Sequence, residues 1–144
     1  MTTACVFCRI ASGELPGNVV YRDARAVAFL DRNPLLLGHT LVVPVAHVAT
    51  LDDLAPDLIG PLFEVVRRTS VAVQRALQAD GSFVAVNTRV SQSVPHVHVH
   101  VVPRNEGDGL FSPRLVWRRR SYGSDDEAAD HAARIRAAFE ADTQ

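Results

Sequence analysis

The chain has no excess of charge of either sign: 15 basic residues stand against 16 acidic ones, for a formal net charge of −1. Proteins that grip duplex nucleic acid or an anionic membrane through their surface potential carry a large positive surplus, so neither partner is expected here. An isolated nucleotide remains compatible with that balance. No run reaches the roughly 18 consecutive apolar residues that cross a bilayer, and no apolar stretch of secretory length follows Arg9, so the expected location is the cytoplasm. The glycine-rich loop ending in Gly-Lys-Ser or Gly-Lys-Thr is missing, which argues against kinases and NTPases of that class. There is no internal repeat. Cysteine is scarce: the two present, Cys5 and Cys8, are so close that a disulfide between them would close a very small loop and stabilise little. Their Cys-x2-Cys spacing fits half of a zinc site or a redox pair, with an inert pair as the plain alternative.

What is present fits one compact domain of 144 residues, 47% of them hydrophobic. Val19-Val20-Tyr21 and Val27-Ala28-Phe29-Leu30 flank a charged turn and predict a hairpin, and Thr40 to Pro44 predicts a third strand that ends at its proline. Apolar residues recur at spacings of three and four from Leu62 to Leu77, which predicts a long amphipathic helix. Gly60-Pro61 interrupts its start, so either Pro61 sits at the first helical position or an earlier turn from Asp57 is kinked there. Phe83 to Asn87 and His96 to Val102 predict two more strands, a C-terminal helix is expected from about Asp125 to Ala141, and residues 107–124 read as a loop with a basic patch at Arg118-Arg119-Arg120. A charge run of that kind is ordinarily a solvated face. The order of elements predicts an α+β fold with a mostly antiparallel five-stranded sheet, one long packed helix and a C-terminal helix.

The segment His96-Val97-His98-Val99-His100-Val101-Val102 carries the chemistry. Side chains alternate along a strand, so the three imidazoles are expected on one face and Val97, Val99 and Val101 on the other, against the long helix. A row of imidazoles can supply a nucleophile, a phosphate donor and a structural partner along a phosphoryl group, and neutral imidazole is also a common zinc ligand. Just upstream, Ser91-Gln92-Ser93 offers hydroxyl and amide donors to an anion at one end of the row.

This pattern, with Pro103-Arg104 downstream, Cys5 to Ile10, Ala28-Phe29-Leu30-Asp31, and Gly38-His39-Thr40 followed by His47, closely resembles the histidine-triad family of nucleotide hydrolases and transferases over residues 4–110. The resemblance implies an enzyme that cleaves at the α-phosphate of nucleoside phosphoramidates or dinucleoside polyphosphates through a covalent nucleotidyl-histidine. By position it makes His98 the nucleophile and His100 a phosphate contact, with Asn87, Gln92 and Ser93 orienting the phosphate and assisting the leaving group. It makes Asp31 the ribose contact, Ile10, Phe29 and Leu30 parts of a purine pocket, and His39 a support behind the nucleophile. It also implies a structural zinc ion on Cys5, Cys8, His47 and His96, no catalytic metal, and a homodimer supported by the apolar face of the long helix. The alternative is a nucleotide-sensing protein with little turnover. The single domain then spans residues 1–144, with a family-atypical extension from about residue 111. One departure from the family pattern is Ser91, which stands before Gln92 where a glycine is common.

Overall fold

The computed structural model describes residues 5–113 and 119–142, so Arg118 of the basic patch lies outside the described residues. Strands β1 (Val19–Arg22) and β2 (Ala26–Leu30) form the first hairpin. Its turn is held by Asp23, whose Oδ1 accepts the backbone N–H groups of Arg25 at 2.7 Å and Ala26 at 2.8 Å, the side-chain bonding that suits aspartate to tight turns. Strands β3 (Thr40–Pro44), β4 (Gly81–Val86) and β5 (Val99–Arg104) complete a sheet of order β1-β2-β3-β5-β4 in which every pairing is antiparallel. The fold is α+β, and the five strands are those expected.

All five residues of β2 and of β3 are buried, because helices cover both faces of the sheet. On one face Ala26, Ala28, Leu30, Val42, Val99 and Val101 pack against Leu62, Val65, Val66 and Val73 of α2 (Pro56–Leu77) and Ile135 and Phe139 of α3 (Asp125–Asp142). On the other, Val27, Phe29, Leu41 and Val43 pack against a short helix α1 (Val6–Ala11). Helix α2 starts at Pro56, whose missing N–H costs nothing in the first turn, and runs on through Pro61. The helix therefore takes the earlier start.

Three expectations need correction. Helix α1 falls where no element was expected: six residues are too short to announce themselves by periodicity, and the helix exists because Phe7, Cys8, Ile10 and Ala11 are buried on the sheet while Arg22 donates to the carbonyls of Ile10 and Ala11 at its C-terminal end. Strand β5 begins at Val99 rather than His96, since the N–H of His96 goes to the Val94 carbonyl and that of Val97 to Val48, outside the sheet ladder. Much of the apolar face of α2 expected to support a dimer, Leu62, Val65, Val66 and Val73, is instead packed within the chain against the sheet and α3, while Ile59 is exposed.

Candidate functional site

Pairing register sets the side on which the histidines lie. His100 stands opposite Leu41 of β3 and Ala85 of β4, and directly opposed residues share a face, so its ring lies on the α1 side of the sheet with Leu41 and Phe29. His96, His98 and His100 are all at most 4% exposed. The alternation expected for them holds for Val99 and Val101, which pack on the helical side, whereas Val97, before the strand, is buried outside that cluster.

Hydrogen-bond partners then determine which ring nitrogen each histidine presents. His98 Nδ1 is 2.8 Å from the carbonyl of His96; a carbonyl only accepts, so Nδ1 carries the proton and Nε2 holds the free lone pair. His39 Nδ1 accepts the backbone N–H of Leu35 at 3.0 Å, so its proton sits on Nε2, which donates to His100 Nδ1 at 2.9 Å. His100, accepting at Nδ1, must carry its own proton on Nε2. That N–H is buried and has no partner among the described residues, a cost of about 1–3 kcal/mol that an acceptor arriving from outside would remove. The rings of His98 and His100 lie 5.0 Å apart, centroid to centroid. A lone pair and an orphan donor thus stand side by side. Burial, with the positive charge of Arg119 and the neighbouring His98, holds His100 neutral down to about pH 4; burial likewise lowers His98 and, more strongly, His39.

A second cluster adjoins the first. His96 Nε2 lies 2.9 Å from the carbonyl of Pro44 and must donate to it, which turns a bare Nδ1 toward the sulfurs of Cys5 and Cys8, both 3.5 Å away. His47 Nδ1 lies 3.2 Å from Cys8 Sγ. All four ligand atoms fall within 4.8 Å of one another. Zinc bonds of about 2.3 Å to sulfur and 2.0–2.1 Å to nitrogen at tetrahedral angles separate S from N by about 3.6 Å, so the cluster fits such an ion. The carbonyl behind His96 is the outer partner that metal-binding histidines normally have. With four protein ligands, such a site would keep no open position. The cluster also takes His96 away from its neighbours, so the three histidines of the row do not converge on one ion.

The other candidate residues distribute unevenly. Phe29 and Ile10 share the α1-side cluster, whereas Leu30, next along the strand, points to the helical core and cannot line the same pocket. Asn87 follows the last β4–β5 pair, Val86 with Val99, which brings its backbone to the level of His98. Gln92 is committed: its Oε1 accepts the N–H of Arg89 at 2.8 Å and its Nε2 donates to the carbonyl of Ala49 at 2.6 Å, so its amide shapes the loop rather than reaching into the site. Ser93 is exposed. Ser91 adopts φ 63° and Arg89 φ 68°, conformations that glycine takes at lower cost, which accounts for the usual glycine at the first position. Asp31, at 14% side-chain exposure, accepts from the N–H of Asn33 through Oδ1 and from Arg119 through Oδ2, and Oδ2 also lies 3.7 Å from His39 Nε2.

Two residues at the site escaped sequence reasoning. Phe7 sets its ring edge-on to His98, with centroids 5.1 Å apart, and to Phe29 at 5.3 Å, so α1 supplies a wall of the site as well as the thiols. An aromatic between paired cysteines was the available signal. Arg119 reaches Asp31 across 88 residues, a contact with no local signature.

The HIT domain family matches residues 12–107, two thirds of the chain. An uncharacterized HIT-like protein of Methanocaldococcus jannaschii is 47% identical over 107 residues, covering 73% of this chain and 82% of its own length. The adenylylsulfatase HINT3 of Arabidopsis thaliana is 34% identical over 134 residues, covering 92% and 68%. Among solved structures, a zinc-bound histidine triad family protein from Mycobacterium smegmatis superposes with a TM-score of 0.82 at 35% identity, covering 97% of this chain and 96% of that one. The chain belongs to the HIT domain family, the histidine-triad class that its His-x-His-x-His motif resembles.

Proposed function

We propose that the protein is a nucleotide hydrolase or nucleotidyl transferase that cleaves at the α-phosphate of nucleoside phosphoramidates or dinucleoside polyphosphates through a nucleotide covalently bound to His98. The carrying observation is the paired tautomers: His98 Nδ1–H anchored on a carbonyl with Nε2 free, beside a buried His100 Nε2–H lacking an acceptor. In this reading the lone pair of His98 Nε2 attacks the α-phosphorus as the bond to the leaving amine or phosphate breaks, and the leaving group takes its proton from solvent. The imidazolium that forms is stabilised by the His96 carbonyl. His100 donates to a phosphoryl oxygen, and His39 holds it in the donating tautomer. Water, or another acceptor, then attacks phosphorus and breaks the P–N bond, which returns His98 neutral. Asp31 accepts from the ribose hydroxyls, Ile10 and Phe29 contribute to the purine pocket, and Asn87 and Ser93 contact the phosphate. The enzymatic name of the Arabidopsis relative supports hydrolysis at a nucleotide.

Cys5, Cys8, His47 and His96 bind a structural zinc ion in this proposal, a reading supported by their geometry and by the zinc-bound mycobacterial neighbour. The ion fastens α1, with Phe7, to the segment that leads into β5. Residues 1–144 form one domain, supported by α3 sharing the core of α2 although it lies beyond the family match. A homodimer is supported by the unpaired outer edge of β4, where Val84 is 42% exposed. No helix among the described residues is long and apolar enough to cross a membrane, and two free thiols suit the reducing cytoplasm.

The test is intact-protein mass spectrometry after brief mixing with an adenosine phosphoramidate. All 15 basic residues are arginine, so no lysine can compete for the nucleotide. An acid-labile adenylyl adduct on the wild type, lost in His98→Ala, is the expected result. Binding of the nucleotide with neither adduct nor product would instead favour the sensing protein.

A further inference from the structure

The segment after residue 118 is fastened to the loop that follows β2. The N–H of Arg120 donates to the Pro34 carbonyl at 2.7 Å, and the Tyr122 hydroxyl accepts the N–H of Gly38 at 2.8 Å. Next to the first anchor, Arg119 Nη1 donates to Asp31 Oδ2 and to the Asn33 carbonyl, each at 2.9 Å. A residue of a solvated charge run would have none of these attachments. Arg119 also lies beyond residue 107, where the family match ends.

We propose that Arg119 is a substrate contact and specificity residue, and that this site reads the sugar of its nucleotide with an Asp31–Arg119 pair rather than with a carboxylate alone. The inference rests on the nucleotide reading above, in which Asp31 meets the ribose. A hydroxyl offers one hydrogen and two lone pairs, and a carboxylate can use only the hydrogen. Each Asp31 oxygen already takes one N–H, from Asn33 or from Arg119, which leaves one acceptor position on each for the two hydroxyls of a ribose. Both hydrogens of Arg119 Nη1 are spent, on Asp31 and on Asn33. The N–H groups of Nη2 and Nε have no partner among the described residues and lie beside the same carboxylate, where they can donate to the hydroxyl oxygens. At 43% side-chain exposure against 14% for Asp31, the guanidinium forms the solvent-facing rim of the pair. Sites that bond both sides of a hydroxyl reject the analogue lacking it far better than apolar pockets do.

The test is calorimetric binding of AMP and of 2′,3′-dideoxy-AMP to the full chain, as wild type, Arg119→Gln and Arg119→Lys. The wild type should prefer AMP by about tenfold or more. Arg119→Gln should weaken AMP binding by about fivefold to tenfold while leaving dideoxy-AMP within about twofold, so that the preference collapses, and Arg119→Lys should fall between because it keeps the charge and loses the fork. Equal weakening of both ligands would reduce Arg119 to a structural strap, unchanged binding would remove it from the site, and tighter AMP binding would make it an occluding residue; each overturns the proposal while leaving the nucleotide reading intact. A wild type with no affinity for AMP would take down the nucleotide reading and this proposal together.

Discussion

Two histidine clusters lie side by side on the same face of the sheet, both buried and both built from the same strand approach, yet their chemistry diverges. The carbonyl of Pro44 holds His96 by Nε2 and leaves Nδ1 facing two thiols, whereas the carbonyl of His96 holds His98 by Nδ1 and leaves Nε2 free. In the first cluster bare nitrogens and sulfurs converge, an arrangement that calls for a cation. In the second, donors and acceptors alternate from Leu35 through His39 to His100 and end in an N–H with no acceptor, an arrangement that calls for an anion. The identity of the residue does not distinguish the two; the atom that the backbone occupies does. His96 belongs to one cluster by its ring and to the other by its carbonyl, so the Cys/His cluster and the orientation of the His98 ring are mechanically joined there.

That contrast can be broken from either side. Cys8→Ser removes a thiolate on which both His96 and His47 converge, and the expected result is loss of zinc measured by plasma emission spectrometry, with a fall in melting temperature on the order of 10 °C. Retained stoichiometric zinc would show that the cation cluster is wrongly assigned. His39→Ala acts on the other side: His100 loses the donor that fixes its tautomer, so kcat should fall by about tenfold to a hundredfold with zinc content unchanged. A kcat within twofold of wild type would remove His39 from the support of the site.

The smallest expected effect concerns pH. The folded His100 titrates at about 4, below the roughly 6.5 of an unfolded histidine, so between these values the unfolded chain binds more protons. Its contribution to stability is present above pH 6.5 and is lost as pH falls toward 4, amounting to about 1 kcal/mol between pH 7 and pH 5.5. Chemical denaturation at those two pH values checks this, and His100→Gln should flatten the difference.

The same two clusters show what a sequence can and cannot disclose. Alternation of histidine with valine placed the rings on one side and Val99 and Val101 on the other because strand geometry is local and has period two. The Cys-x2-Cys spacing survives as one turn of α1, but the helix itself depends on burial against the sheet, and periodicity over six residues is silent about that. The family resemblance puts Leu30 beside Phe29 in the purine pocket, although adjacent strand residues face opposite ways. Gln92 looked available because nothing in the sequence reveals that Ala49, 43 positions away, takes its amide. Arg119 read as a solvated charge because its partner lies 88 residues upstream. Periodic local facts were legible; side-chain commitments made across the fold were not.

Backbone groups assign the histidine tautomers, directly at His96, His98 and His39 and through His39 at His100, and histidine-selective nitrogen-15 NMR of the protein near pH 7 reads them directly. Expected are Nδ1–H for His98 and Nε2–H for His39, His96 and His100, with His98 Nε2 showing the shift of an unprotonated nitrogen. A His98 protonated at Nε2, or a His100 protonated at Nδ1, would leave no nucleophile beside a donor and would contradict that assignment.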